Sequence, residues 1–100
     1  MSEYRLQRVE SVIQEIVSSL IFSGKIKDHR VGRLISVTRV KCSSDLSVAK
    51  VYISGFDNDI AVRKSIEGLN SAAPFIQGVI GKNLKTRLTP RLTFYYDNSI

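Results

Sequence analysis

Apolar residues recur along this chain with two periods, and the switches between them mark its elements. Val9, Val12, Ile13, Ile16, Val17, Leu20 and Ile21 fall at helical spacing, which predicts a helix over residues 3–23. Ser2 suits its N-cap, Glu3 the positive end of its dipole, and Gly24 a left-handed C-terminal residue. Glu10, Gln14 and Ser18 lie on the polar side. Residues 34–42 are rich in β-branched types and read as a strand, and 46–55 as another, with Ser43-Ser44-Asp45 joining them as a hairpin. In the second strand Ala49, Val51 and Ile53 alternate with Val48, Lys50 and Tyr52. Phe56-Asp57-Asn58-Asp59 has helix-capping chemistry. Helical spacing then returns in Val62, Ile66 and Leu69, and again in Phe75, Ile76, Val79, Ile80 and Leu84. Between these runs stands Ala72-Ala73-Pro74. Proline has no N–H and clashes with the preceding turn, so it ends a helix or opens one. The expectation is a helix over 60–71, a kink at Ala72, Ala73 and Pro74, and a second helix over 74–86. Residues 86–90 end it. Leu92, Phe94 and Tyr96 alternate with Arg91, Thr93 and Tyr95 in a last strand.

The order is therefore α-β-β-α-kink-α-β in a single domain, residues 1–100. It predicts an α+β fold with a three-stranded mixed sheet and helices on one face. The final crossover should be right-handed, which makes the last strand parallel to its neighbour. A ferredoxin-like fold would need another strand. A helix-turn-helix over 60–86 would leave the strands unexplained.

Composition adds a partner class. Fifteen Lys and Arg oppose nine Asp and Glu, a formal charge of +6. That favours a polyanion, and no helix has the aromatic anchors of a membrane-surface helix, so nucleic acid is preferred over membrane. One cysteine, Cys42, allows no internal disulfide and reads as a small buried residue at a strand end. The first residues lack an apolar signal region, and no run is long enough to span a membrane, so a cytoplasmic location is expected. Catalysis finds little support. His29 is the sole histidine and sits among loop cations, while Asp57 and Asp59 are explained by helix capping. No metal cluster, phosphate loop or nucleophile elbow is legible, so no enzyme, cofactor, metal or small-molecule substrate is expected.

Three sets of candidate RNA-binding residues follow from the pattern. Opposite the apolar stripe of the last helix lie Gln77, Gly78, Gly81, Lys82 and Lys85. Two interior glycines weaken a helix by about 1 kcal/mol each relative to alanine, but placed outward they let a backbone approach closely. The alternative is a weak helix with a solvated basic face. Arg5 and Arg8 open the first helix and either cap its packing or reach a phosphate. Arg39, Lys41 and Lys50 form a patch outside the core with Tyr52, or merely guard a sheet edge. Arg39 and Lys41 share one face of the first strand; whether Lys50 and Tyr52 share it too depends on a register that the sequence does not fix. Tyr95 and Tyr96 either stack on bases or belong to core and sheet surface. Gly78-Val79-Ile80-Gly81 spells GxxG, but Val79 and Ile80 continue the apolar stripe, so both glycines are read as helical.

The order of elements resembles a type II KH domain. The wording resembles the ribosome-binding factor A family of bacterial small-subunit assembly factors, over nearly the whole chain. The resemblance rests on Arg5-Leu6-Gln7-Arg8-Val9, Glu15-Ile16, Thr38-Arg39-Val40, Ser44-Asp45-Leu46 and Ala49-Lys50-Val51-Tyr52-Ile53-Ser54. Phe75-Ile76, Gly81-Lys82, Arg87, Pro90-Arg91-Leu92-Thr93-Phe94 and Asp97 complete it. That family replaces the KH glycine loop with an Ala-x-Gly kink, and here Ala72-Ala73-Pro74 keeps the alanine but has proline for glycine. Gln77 stands where relatives often have Arg, and relatives often continue in a flexible tail that is expected to be missing beyond Ile100. The resemblance implies binding to the immature small (30S) subunit as a monomer, assistance to 16S rRNA maturation without catalysis, and an RNA contact at Arg87. A generic KH-like RNA-binding module would instead bind short oligonucleotides well. A basic protein-interaction domain would keep its partners after nuclease treatment.

Overall fold

The structure is a computed structural model that describes residues 3–56, 58–84 and 88–97. The first apolar stripe becomes α1 (Glu3–Ser23), which buries Val9, Ile13, Val17, Leu20 and Ile21. It ends as expected at Gly24, with φ 70°. The Gly24 N–H donates to the Ile21 carbonyl and the Lys25 N–H to that of Leu20, the paired closure of a helix that needs a left-handed residue. The expected cap at Ser2 lies outside the described residues.

The three strands are β1 (Ile35–Cys42), β2 (Val48–Gly55) and β3 (Arg91–Tyr96), in sheet order β1-β2-β3. β1 pairs antiparallel with β2, and β3 parallel with β2. β2 begins two residues later than its alternation suggests, because Ser43–Ser47 form the turn. Asp45 accepts from the Ser47 N–H and from the hydroxyls of Ser43 and Ser47, while the Ser43 oxygen accepts from the N–H groups of Ser47 and Val48. This network holds Leu46 at φ 60°, a conformation unusual for a side chain of its size, and Leu46 is buried.

Asn58 caps α2 (Asp59–Ser71) by accepting from the Ala61 N–H at 2.9 Å. The kink is one residue long. Ala72 leaves helical geometry at φ −88°, ψ 2°, and α3 (Ala73–Asn83) starts at once with Pro74 in its first turn. Proline's missing N–H matters least there, so its place in the kink is compatible with the helix it opens. The four residues of the GxxG run all lie within α3, with Ile80 fully buried. The expected continuation of α3 over residues 85 and 86 lies outside the described residues; the described helix closes at Leu84, whose N–H donates to the Ile80 carbonyl.

The helices cover one sheet face, against which Ile35, Val37, Val40, Cys42, Ala49, Val51, Ile53, Leu92 and Phe94 are buried. Helical side chains also close both sheet edges. On β1, Glu10 accepts from the Cys42 N–H at 2.8 Å and Gln14 donates to the Val37 carbonyl. On β3, Asn70 bonds both backbone groups of Phe94, and Gln77 accepts from the Leu92 N–H at 2.9 Å. Unpaired strand groups would otherwise offer a template to another chain. Cys42 is the small buried strand-end residue expected of it; burial, and then the nearby Glu10 carboxylate, push its thiol up to about 11.

Candidate nucleic-acid interface

The register places Arg39, Lys41, Lys50 and Tyr52 on one face, the one without helices. Two features achieve this. A bulge between Val37 and Arg39 shifts the alternation of β1, so that Ile35 and Val37 point inward at odd positions while Val40 and Cys42 do so at even ones. Arg39 and Lys41 are thereby turned outward, and they stand opposite Tyr52 and Lys50 respectively. On the other side of β2, Tyr95 stands opposite Tyr52, Thr93 opposite Lys50, and Arg91 opposite Val48. One row thus reads Arg39, Tyr52, Tyr95 across the three strands. The Arg39 guanidinium lies 4.5 Å over the Tyr52 ring, and the Tyr52 and Tyr95 ring centroids are 5.8 Å apart, tilted by 31°.

These cations are uncompensated. Among the described residues no carboxylate forms an ion pair with Arg39, Lys41, Lys50 or Arg91. The carboxylate nearest this face in sequence, Asp97, accepts from the Thr38 hydroxyl at 2.6 Å. Arg91 belongs to the patch and was missed by sequence reasoning; its alternation with Thr93 and Tyr95 was visible, but its neighbours depend on the parallel pairing. Tyr96 points the other way. Its hydroxyl donates to Asp59 at 2.7 Å, which raises its pKa, and Arg63 lies over its ring. Of the two candidate stacking tyrosines, only Tyr95 is on the open face.

The face expected on α3 is smaller than the helical wheel suggests. Gln77 is turned to the β3 edge, where it holds the Leu92 N–H. Gly81 is packed: a Cβ there would lie 2.8 Å from the Thr89 hydroxyl oxygen. The outward placement of these two is therefore corrected, because the chain returning into β3 covers that side of the helix. Gly78 and Lys82 remain exposed, and a Cβ on Gly78 would meet nothing within 4 Å. Lys85 and Arg87 lie outside the described residues. Arg5 and Arg8 are exposed near the start of α1.

The loop between α1 and β1 carries more cations but spends one on its own shape. Arg30 makes a two-pronged contact with Asp28, at 3.0 and 2.7 Å, and reaches Ser71. These hydrogen bonds hold the Asp28 carboxyl well below the usual carboxylate range and raise the Arg30 pKa. The buried Ser65 hydroxyl donates to the Arg30 carbonyl and accepts from the Gly32 N–H, fastening the loop to α2. An open cleft of about 460 Å³ beside it is lined in part by His29, Arg30 and Lys64.

A basic α+β domain with this topology has known counterparts. The family model for ribosome-binding factor A matches residues 5–100. The chain belongs to the ribosome-binding factor A family. A ribosome-binding factor A from Treponema denticola is 47% identical over 100 residues, covering 100% of this chain and 76% of that protein. The solution structure of a Thermotoga maritima protein put forward as a ribosome binding factor A matches with a TM-score of 0.83 at 30% identity, over 100% of this chain and 93% of that one. A model of Thermus thermophilus ribosome binding factor A, fitted into a cryo-EM map of a 30S complex, shares the fold with a TM-score of 0.70 at 24% identity, covering 88% of this chain and 90% of that one. The KH-like reading of the topology accords with these ribosome-binding factor A structures. Among the described residues no helix is long and apolar enough to cross a membrane.

Proposed function

We propose that this protein binds the immature small ribosomal subunit in the bacterial cytoplasm and assists maturation of its 16S rRNA by binding alone. The observation that carries the reading is family membership across residues 5–100. The Thermus thermophilus relative has been fitted into a 30S complex, which suggests the same partner here. The formal charge of +6 and the unpaired cations of the open sheet face support contact with RNA rather than with an acidic protein. The mechanism would be to hold an rRNA conformation during assembly and then leave as a monomer, with no bond made or broken. Arg5, Arg8, Arg39, Lys41, Lys50, Gly78, Lys82, Lys85 and Arg87 are the proposed RNA-contacting positions, and the Ala72-Ala73-Pro74 kink sets the direction of α3.

The test is depletion of the protein in its own host, read by co-sedimentation and rRNA length. The tagged protein should pellet with free small subunits, and depletion should leave 16S rRNA with unprocessed ends. Normal rRNA ends with no small-subunit association would overturn the proposal.

A further inference from the structure

We propose that the helix-free face of the sheet is a stacking platform for unpaired RNA, centred on Arg39, Tyr52 and Tyr95. The inference rests on the RNA-binding reading above and adds which form of RNA this face takes and how.

Three observations converge. First, planar groups stand in one row across three strands, with the Arg39 guanidinium restrained over the Tyr52 ring and the Tyr95 ring beside it, 41% exposed. Aromatic rings and guanidinium planes are the surfaces on which splayed bases stack. Second, Lys41 and Lys50 are direct cross-strand partners in the adjacent row. Like charges set opposite each other weaken a sheet, and no carboxylate pairs with either one among the described residues. A phosphate backbone running past that row would relieve the repulsion. Third, the face suits a protein partner poorly. Lysine is depleted at protein interfaces, and here Lys41 and Lys50 stand side by side in the row next to Tyr52 with no carboxylate paired to either among the described residues.

Single-stranded RNA satisfies both halves of the face. Its bases can leave their own stack and lie on Tyr95 and on the outer side of the Arg39 guanidinium, while its phosphates meet Lys41, Lys50 and Arg91. A duplex keeps its bases stacked and would use the charges alone. Recognition of this kind tolerates any base sequence, because every base has a π-face.

The experiment titrates the intact protein with a short oligoadenylate, and separately with an RNA duplex of equal length. In the unmutated protein the single strand should move the ring resonances of Tyr52 and Tyr95 more than those of Tyr4 and Tyr96. Combined Tyr52→Ala and Tyr95→Ala should weaken oligoadenylate binding by about tenfold or more, from the usual worth of base–aromatic stacking, and change duplex binding little. Combined Tyr52→Phe and Tyr95→Phe should keep single-strand binding, and Arg39→Lys should weaken it, because an ammonium has no plane. Unmoved ring resonances would overturn the platform without recourse to any variant, as would equal losses for single strand and duplex. Small-subunit co-sedimentation of the unmutated protein is read independently. Failure there, with ring shifts present, overturns the assembly-factor proposal; pelleting with unmoved rings overturns the platform.

Discussion

Gly68 and Gly78 sit in very different surroundings, and single-atom geometry separates what each does. At Gly68, inside α2, a Cβ would lie 2.7 Å from a Val31 methyl and 3.0 Å from an Asp28 carboxylate oxygen. That glycine lets the loop carrying Asp28 and Arg30 lie directly on the helix. Gly68→Ala gains about 0.5–1 kcal/mol of helix propensity but must displace a packed loop, an overpacking cost of about 1–3 kcal/mol. Net destabilisation is expected in denaturant melts. Gly78→Ala meets nothing within 4 Å and should instead stabilise by up to about 1 kcal/mol. Equal effects at the two positions would contradict this packing. A second residue-scale prediction concerns Asp45. Hydrogen bonds from the Ser47 and Ser43 hydroxyls and the Ser47 N–H lower its carboxyl from 3.8 to about 2. A folded pKa below the unfolded one means the contribution is complete above about 4 and is lost as pH falls through about 2. Following the Asp45 carboxyl by NMR should give a midpoint near 2, whereas a midpoint near 4 would show that the turn network does not form in solution.

At the scale of elements, the sheet depends on helices that do more than cover its face. Asn70 acts on β3 as a neighbouring strand would, accepting from the Phe94 N–H and donating to its carbonyl. Asn70→Ala removes both bonds and should cost about 1–3 kcal/mol. It should also speed hydrogen exchange at the Phe94 amide and increase association between copies through the opened edge. Unchanged exchange at that amide would mean the edge is protected by something else. These contacts also mark the limit of what sequence reveals. The extent of α1, the kink and the succession of elements along the chain were legible because they rest on local period and on proline, whose effects lie within a few residues, whereas the choice of β2 as the parallel neighbour of β3 was not. The edge closures were not, since Asn70 and Phe94 are 24 positions apart and Glu10 and Cys42 are 32. Gln77 shows the cost most directly: a helical wheel places it outward, but β3 returns beside that side of α3. The shared face of Arg39 and Lys41 was legible from their spacing of two along β1, whereas the side on which Lys50 and Tyr52 stand relative to them waited on the β1–β2 register.

At the scale of the molecule, the proposed function turns on how its RNA-contacting cations are distributed. Those among the described residues stand on α1, on the open sheet face and on α3, where Lys82 is apart from any ion pair. Contacts spread in this way would each release counterions, so association should weaken steeply with salt. If about five phosphates are neutralised, log K against log salt should have a slope of about −3.5 to −4.5, the range between single strands and duplexes. Lys82→Glu separates this surface from the fold. The side chain is exposed in the last turn of α3, so its removal should change stability by about 0.5 kcal/mol, with some further loss because an anion faces the negative end of the helix dipole. Small-subunit binding should nevertheless fall, and the salt slope should become shallower by about one phosphate contact. A reversal at Lys25 and Lys27, in the loop after α1, is the comparison and should matter less. The measurement is co-sedimentation across a salt series, beside melts that confirm folding. A folded Lys82→Glu protein with the unmutated slope would exclude α3 from the RNA-facing surface and leave the sheet face to carry the contact.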